Sequence, residues 1–343
     1  MDETKKLNVL ITSFLEPEYV ERVRQVDQRL NVIYDASLVR PPRYPADHKG
    51  QPGGRTPEEE ARWRAYLSQA DILFDIDPSH LDDLPELAPR VKWIQSSSTG
   101  IGQFIHEARY DQRMPGTVFT MAGVHSRPLA EFCMMALLMN YKKVDQLNAW
   151  KQAKHFERYA TTDAENRKMA IVGLGRNGTA VARLAKAFDM FTVGTDLLPK
   201  QGVVDQYYEV SRMHEMLKDA DVLVLAVPPT KQTAKMIGAA ELALLKKGAF
   251  FINICRASVV DEEALVKALN SGQLSGAAID VFAIEPLPQD SPYWTMPNVL
   301  ICPHSASCSD RENGRLMDVF CENLRRYLDG KPLNFVLNTE LMY

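Results

Sequence analysis

Residues 168–196 read K-M-A-I-V-G-L-G-R-N-G-T-A-V-A-R-L-A-K-A-F-D-M-F-T-V-G-T-D. Met169 to Val172 are a short apolar run of the kind a buried strand shows, and Gly173, Gly175 and Gly178 follow as G-x-G-x-x-G. Val181, Leu184, Ala185 and Phe188 then recur at helical spacing, and Phe191 to Val193 form a second apolar run closed by Asp196. Each glycine has a mechanical role. Gly173 permits the tight turn out of the strand, Gly175 lets backbone approach a pyrophosphate, and Gly178 lets helix and strand pack closely. The helix N-terminus offers free N–H groups to phosphates. A carboxylate at the end of the second strand accepts both ribose hydroxyls and repels a 2′-phosphate. A lone G-x-G-x-x-G is weak evidence, but with strand, helix, second strand and acid in order the stretch reads as a dinucleotide site. Asp196 favours NAD and makes NADP the less expected cofactor.

The bulk properties set the class around that stretch. A chain of 343 residues is long enough for two domains. A net charge of −4 and a pI of 6.0 leave no electrostatic footprint for nucleic acid or an anionic membrane. The five cysteines (Cys133, Cys255, Cys302, Cys308 and Cys321) lack a C-x-x-C pair, so neither a disulfide framework nor a metal site is expected. No apolar run reaches bilayer-spanning length, and the polar N-terminus M-D-E-T-K-K does not resemble a signal peptide. These features lead to the expectation of a reduced, soluble, cytoplasmic protein.

Outward from the glycine stretch, strands and helices alternate. Strands are expected at Leu7 to Ile11, Leu30 to Tyr34, Asp71 to Ile76, Val91 to Ile94 and Val118 to Met121, with an amphipathic helix over Glu18 to Val26. Pro41 to Gly54, with four prolines and three glycines, reads as an exposed loop without a recognisable motif. Thr56-Pro57-Glu58-Glu59 is a capping box that starts a helix running through Trp63 and Leu67. An apolar helix spans Pro128 to Asn140, capped by Ser126, and Tyr141 to Arg167 is a polar stretch. Beyond Asp196, strands at Val222 to Val227, Phe250 to Ile254, Ala277 to Val281 and Val299 to Ile301 alternate with helices, one capped by Asp261 and ended by Gly272. A long helix over Asp310 to Leu328 stops at Gly330 and Pro332. The alternation argues an α/β protein with parallel sheets and helical crossovers.

Three further segments carry candidate chemistry at the carboxyl ends of expected strands, where open α/β sheets bind ligands. They are I-N-I-C-R-A-S-V-V-D with Arg256, G-A-A-I-D-V-F-A-I-E-P-L with Asp280 and Glu285, and W-T-M-P-N-V-L-I-C-P-H-S-A with His304. From Val91 to the terminal N-L-R-R-Y-L-D-G-K-P-L, the chain resembles the D-isomer-specific 2-hydroxyacid dehydrogenases. The resemblance implies two Rossmann-like or flavodoxin-like domains with the active site in the cleft between them. It assigns residues 1–126 plus 306–343 to a discontinuous substrate domain and 127–305 to an NAD-binding Rossmann domain, in a homodimer.

For activity, the resemblance implies hydride transfer between a nicotinamide and a small D-2-hydroxy or 2-oxo acid of the glyoxylate, hydroxypyruvate or pyruvate kind. Arg256 would clamp the substrate carboxylate and polarise its carbonyl. His304 would donate the proton in reduction and accept it in oxidation, with Glu285 orienting the ring. Asp280 would orient the nicotinamide carboxamide, and the turn Ser98-Thr99-Gly100 would offer backbone N–H groups to the carboxylate. The expected cofactor-binding set is Gly173, Gly175, Arg176, Asn177, Gly178, Asp196, Val227, Pro228, Thr233, Ile254, Cys255, Arg256, Asp280 and His304, with no metal. Thr233 either lies near the cofactor phosphates or caps a helix. His106, His125 and His155 belong to no recognisable motif and read as solvated or structural, and Trp294 reads as packing. The chain departs from the family at Ala257, where glycine is usual, and at Cys255 and Cys302, where other small residues are usual.

An NAD-sensing scaffold like the C-terminal-binding corepressors shares the Arg/Glu/His set but is disfavoured by the lack of a basic or disordered tail. Formate dehydrogenases carry glutamine where Glu285 is acidic. Phosphoglycerate dehydrogenases with an appended regulatory domain are disfavoured because the chain stops soon after its last helix.

Overall fold

In the computed structural model, which describes residues 6–341, the chain forms two compact units: Met1–His125 with Cys308–Tyr343, and Ser126–Ser307. The first five and last two residues, which include most of the polar N-terminal segment and both ends expected of the substrate domain, lie outside the described residues.

The first unit is built on five parallel strands: β1 (Leu7–Ile11), β2 (Leu30–Ile33), β3 (Ile72–Phe74), β4 (Trp93–Gln95) and β5 (Val118–Thr120). Their order is β2-β1-β3-β4-β5, the flavodoxin-like winding whose direction reverses between β1 and β3. One face of the sheet packs Leu10, Leu73 and Ile94 against Trp63 and Leu67 of the helix Pro57–Gln69. The capping box holds the start of that helix: Thr56 Oγ1 accepts from Glu59 N–H, and Glu59 Oε2 accepts from Thr56 N–H at 2.9 Å. The opposite face packs Val9, Ile11, Phe74 and Trp93 against Leu316, Met317, Phe320 and Leu324. Those four residues lie on the helix Glu312–Leu328, so the last long helix of the chain covers the first sheet.

The second unit is built on seven parallel strands: β6 (Lys168–Val172), β7 (Phe191–Thr195), β8 (Gln206–Tyr208), β9 (Val222–Leu225), β10 (Ala249–Asn253), β11 (Leu274–Ile279) and β12 (Val299–Ile301). The order β12-β11-β10-β9-β6-β7-β8 is that of a doubly wound dinucleotide fold, with the reversal between β6 and β9. The glycine turn leaves β6 at that reversal. Ile171, Val224 and Ile252 pack toward the helices Ser126–Tyr141 and Arg176–Lys186, whereas Val172, Leu225 and Phe251 face the other layer.

Several expected elements shift. The strand expected over Asp71 to Ile76 is shorter, because Asp75 takes φ +73 and breaks it. The strand expected over Val91 to Ile94 moves to Trp93–Gln95, since Val91 N–H bonds Ala88 O in a turn. Ser126 is the first helical residue rather than the cap. Within the expected polar stretch, Val144–Ala153 form a helix with no buried residue, which left no apolar stripe to read. Pro41 to Gly54 contain no regular element, and the segment is tied by Arg43 and Asp47.

Candidate active site

The glycine turn is shaped by close approach. Gly173 has φ +95, and a Cβ there would sit 2.7 Å from Ala226 O. A Cβ on Gly178 would meet Gly173 O at 1.8 Å, so any side chain would force the helix Arg176–Lys186 off its strand. At Gly175 a Cβ would meet nothing within 4 Å, leaving that face of the turn clear for a ligand. Asp196, one residue beyond β7, closes the site. Its Oδ2 accepts from Leu174 N–H at 2.7 Å and its Oδ1 from Leu197 N–H at 2.7 Å, which locks the carboxylate beside the glycine turn. Each oxygen keeps a lone pair for a further donor. Tyr207 on β8 donates to Asp196 O at 2.8 Å, a support absent from the sequence reading because Gln206–Tyr208 is a short edge strand. A glycine turn clear at Gly175, at a helix start and flanked by a fixed carboxylate, suits a dinucleotide.

After β9, Thr233 neither caps a helix nor is loose. Its Oγ1 donates to Pro228 O at 2.7 Å and accepts from Thr230 N–H at 2.8 Å, closing the turn that follows Val227. After β10, buried Asn253 organises the next turn. Its Oδ1 accepts from Cys255 N–H at 3.0 Å and from the thiol at 3.1 Å, and its Nδ2 donates to Arg256 O at 3.2 Å. Sequence reading passed over Asn253, although it stands in the quoted I-N-I-C-R. Arg256 precedes the 3-10 turn Ala257–Val259 in extended backbone (φ −149), so alanine serves where glycine was usual, without a positive φ. Burial pushes the Cys255 thiol up to about 11, which makes it a packing and hydrogen-bonding group rather than a nucleophile.

The third turn carries the acid–base candidate. His304 sits three residues beyond β12 with φ +53, a backbone region few non-glycine residues adopt. Buried Asp280, just after β11, accounts for it: Asp280 Oδ1 accepts from Ser305 N–H at 2.8 Å and Ala306 N–H at 2.9 Å. Burial raises the Asp280 carboxyl above its ordinary range, and these N–H groups, Cys302 and His304 pull the other way. His304 Nδ1 lies 2.8 Å from Glu285 Oε2, while Glu285 Oε1 accepts from Phe282 N–H at 2.9 Å. An ionised carboxylate only accepts, so beside it Nδ1 carries the proton and Nε2 is the ring nitrogen not bonded to Glu285. Trp294, expected in packing, is 53% exposed and donates to Pro288 O at 2.8 Å.

In the first unit, the turn after β4 is internally bonded. Ser98 N–H donates to Ser96 Oγ at 2.9 Å and Gly100 N–H to Ser98 Oγ at 3.3 Å, and among the described residues Thr99 N–H has no partner. Asp75 accepts from Ser97 Oγ at 2.7 Å and so braces the segment leading into that turn. His125, read from sequence as solvated or structural, is buried and bonded on both ring nitrogens, to Thr99 Oγ1 and Glu312 Oε1.

A family model described as the NAD-binding domain of D-isomer-specific 2-hydroxyacid dehydrogenases matches residues 134–306. The chain belongs to that family. This 2-hydroxyacid dehydrogenase is 31% identical over 284 residues to a glyoxylate reductase of Korarchaeum cryptofilum, covering 80% of this chain and 85% of that one. It is 30% identical over 296 residues to a glyoxylate/hydroxypyruvate reductase B of Yersinia pestis, covering 84% of this chain and 90% of the relative. Among solved structures, a D-isomer-specific 2-hydroxyacid dehydrogenase family protein from Aeromonas salmonicida superposes with a TM-score of 0.80 at 24% identity, over 98% of this chain and 100% of that one. An NADPH-dependent glyoxylate/hydroxypyruvate reductase from Sinorhizobium meliloti, in complex with NADP and sulfate, superposes with a TM-score of 0.78 at 24% identity, over 98% and 100%. Both structural likenesses show the shared fold. The protein is a pyridine-nucleotide oxidoreductase working between 2-hydroxy and 2-oxo acids. Among the described residues, no helix is long and apolar enough to cross a membrane, and no group of three or more His, Cys, Asp or Glu is placed to hold a metal ion.

Proposed function

We propose that the protein is an NADH-linked reductase of a small 2-oxo acid, of the glyoxylate or hydroxypyruvate class, giving the D-2-hydroxy acid. The observation that carries this reading is the Glu285–His304 pair, aligned at 2.8 Å on a turn that Asp280 holds from below. The names of the two curated relatives supply the substrate class. Bound NADH supplies the hydride. Arg256 holds the substrate carboxylate and polarises the carbonyl through its permanently charged fork. His304 gives the Nε2 proton to the oxygen as it gains negative charge, and Glu285 stabilises the ring while both nitrogens are protonated. In the reverse direction neutral His304 takes the hydroxyl proton.

Asp196 is our reason for choosing NADH over NADPH, since a fixed carboxylate beside the ribose repels a 2′-phosphate. The glycine turn, Arg176, Asn177, Val227, Pro228, Thr233, Ile254 and Cys255 form the rest of the proposed dinucleotide site, with Asp280 toward the carboxamide. Ser98, Thr99 and Gly100 face the substrate carboxylate. A homodimer in the cytoplasm is the accompanying expectation from the family resemblance. The test is a panel of glyoxylate, hydroxypyruvate and pyruvate with NADH and NADPH, following nicotinamide absorbance. Turnover of at least one acid with an NADH preference is expected, and no turnover with any acid would end this reading.

A further inference from the structure

The substrate turn of the first unit is wired to a buried pair that the reductase chemistry leaves unused. Thr99 Oγ1 lies 2.9 Å from His125 Nδ1, and His125 Nε2 lies 3.0 Å from Glu312 Oε1. His125 is 8% exposed and Glu312 6%, whereas Thr99 is only partly buried. The chain of bonds therefore runs from the interior to the rim of the turn. Glu312 stands in the first turn of the helix Glu312–Leu328, and its Oε2 is buried with no hydrogen-bond partner among the described residues. A buried carboxylate is retained only with a proton donor or cation beside it, and the His125 imidazole is the group placed to be that donor.

Proton accounting gives the pair a role. A Glu312 carboxylate only accepts, and opposite it His125 Nε2 carries a proton. If Nδ1 is bare, the Thr99 hydroxyl spends its single proton on the ring and turns lone pairs toward an incoming anion. If Nδ1 is protonated, it donates to Thr99 Oγ1, and the hydroxyl proton points outward. The second arrangement also neutralises Glu312. The neighbouring N–H groups of Ser98 and Gly100 are engaged within the turn, which leaves the Thr99 N–H, beside the Thr99 hydroxyl, as a backbone donor of this turn.

We propose that Glu312 and His125 are positioning residues that make the Thr99 hydroxyl an obligatory donor to the substrate carboxylate. This rests on the assignment of the 98–100 turn to that carboxylate.

The experiment uses NADH-loaded protein with oxalate as a non-reacting dicarboxylate probe, titrated by calorimetry, alongside KM and kcat for the best 2-oxo acid. Thr99→Val and Glu312→Gln should each weaken oxalate and raise KM about ten- to a hundredfold, the worth of one hydrogen bond to a charged group. Thr99→Ser should stay within about threefold of wild type, and kcat should move far less than KM. Because one chain is being cut, the double variant should be no worse than Thr99→Val alone. NADH affinity should be unchanged throughout. Should Glu312→Gln fail to fold, His125→Asn completes the same cycle. Oxalate affinity indifferent to Thr99→Val, or losses that multiply in the double variant, would overturn the relay. Oxalate binding that follows Thr99 in a protein without turnover would sink the reductase reading and leave the relay standing.

Discussion

Glu285 holds His304 with one carboxylate oxygen and the backbone N–H of Phe282 with the other, at 2.8 and 2.9 Å. The carboxylate is thus clamped before it meets the imidazole, and the ring's tautomer follows from it. Glu285→Gln breaks this logic, because an amide either turns its NH₂ toward Nδ1–H or abandons Phe282. We expect kcat/KM for 2-oxo acid reduction to fall about ten- to a hundredfold in Glu285→Gln. His304→Ala should cost about a thousandfold or more, since it removes the proposed general acid itself. Stopped-flow and steady-state rates on both variants check the order, and losses that multiply in the double variant would mean that Glu285 does not act through His304.

Asp196 is held by Leu174 N–H and Leu197 N–H, so its charge has little freedom to swing away from a 2′-phosphate. Asp196→Ser should therefore raise kcat/KM with NADPH relative to NADH by about tenfold or more, as the worth of removing one close like charge. A wild type that uses both cofactors equally would show that this carboxylate does not read the ribose.

The thiols should divide by environment. Burial raises the Cys133, Cys255 and Cys321 thiols, and Cys255 also donates to Asn253 Oδ1. Cys302 and Cys308 are only partly buried. Short treatment of folded protein with N-ethylmaleimide at neutral pH should label Cys302 and Cys308 well before the other three, as read by peptide mass spectrometry. Early labelling of Cys255 would contradict its placement.

Asp47 should make the 41–54 loop sensitive to acid. Burial opposes its charge, but Arg43, with two side-chain bonds at 2.6 and 3.0 Å, and the N–H groups of Arg43 and Gly50 outweigh that and hold the carboxyl at about 2. A carboxyl lowered from 3.8 to about 2 on folding stabilises the fold fully above the unfolded value and loses that contribution as pH falls through about 2. Asp47→Asn should lower Tm at pH 7, and the gap from wild type should narrow as the pH drops below 4. A Tm gap independent of pH would show that the Arg43 bonds do not depend on the charge.

By itself the sequence determined what depends on neighbours along the chain. The glycine turn was legible because each glycine answers a local demand: a positive φ at Gly173, and no room for a Cβ at Gly178. The Thr56 capping box was legible for the same reason, its partners being three residues apart. Parallel α/β architecture followed from apolar runs alternating with amphipathic ones. Strand ends were less legible, since Asp75 leaves β3 through a left-handed conformation that its residue type only weakly announces.

Tertiary structure alone decided what depends on residues far apart in the chain. His125 and Glu312 are separated by 187 positions, and neither stands in a motif, so only the packing of the Glu312–Leu328 helix onto the first sheet brings them together. The same holds for Asp280 beneath the His304 turn, whose Oδ1 accepts from the backbone N–H groups of Ser305 and Ala306 some 25 positions further on. Local patterns encode which residues can form a strand, cap or turn. Which buried polar group satisfies which other is settled only when the layers close and every unpaired donor must find an acceptor within reach.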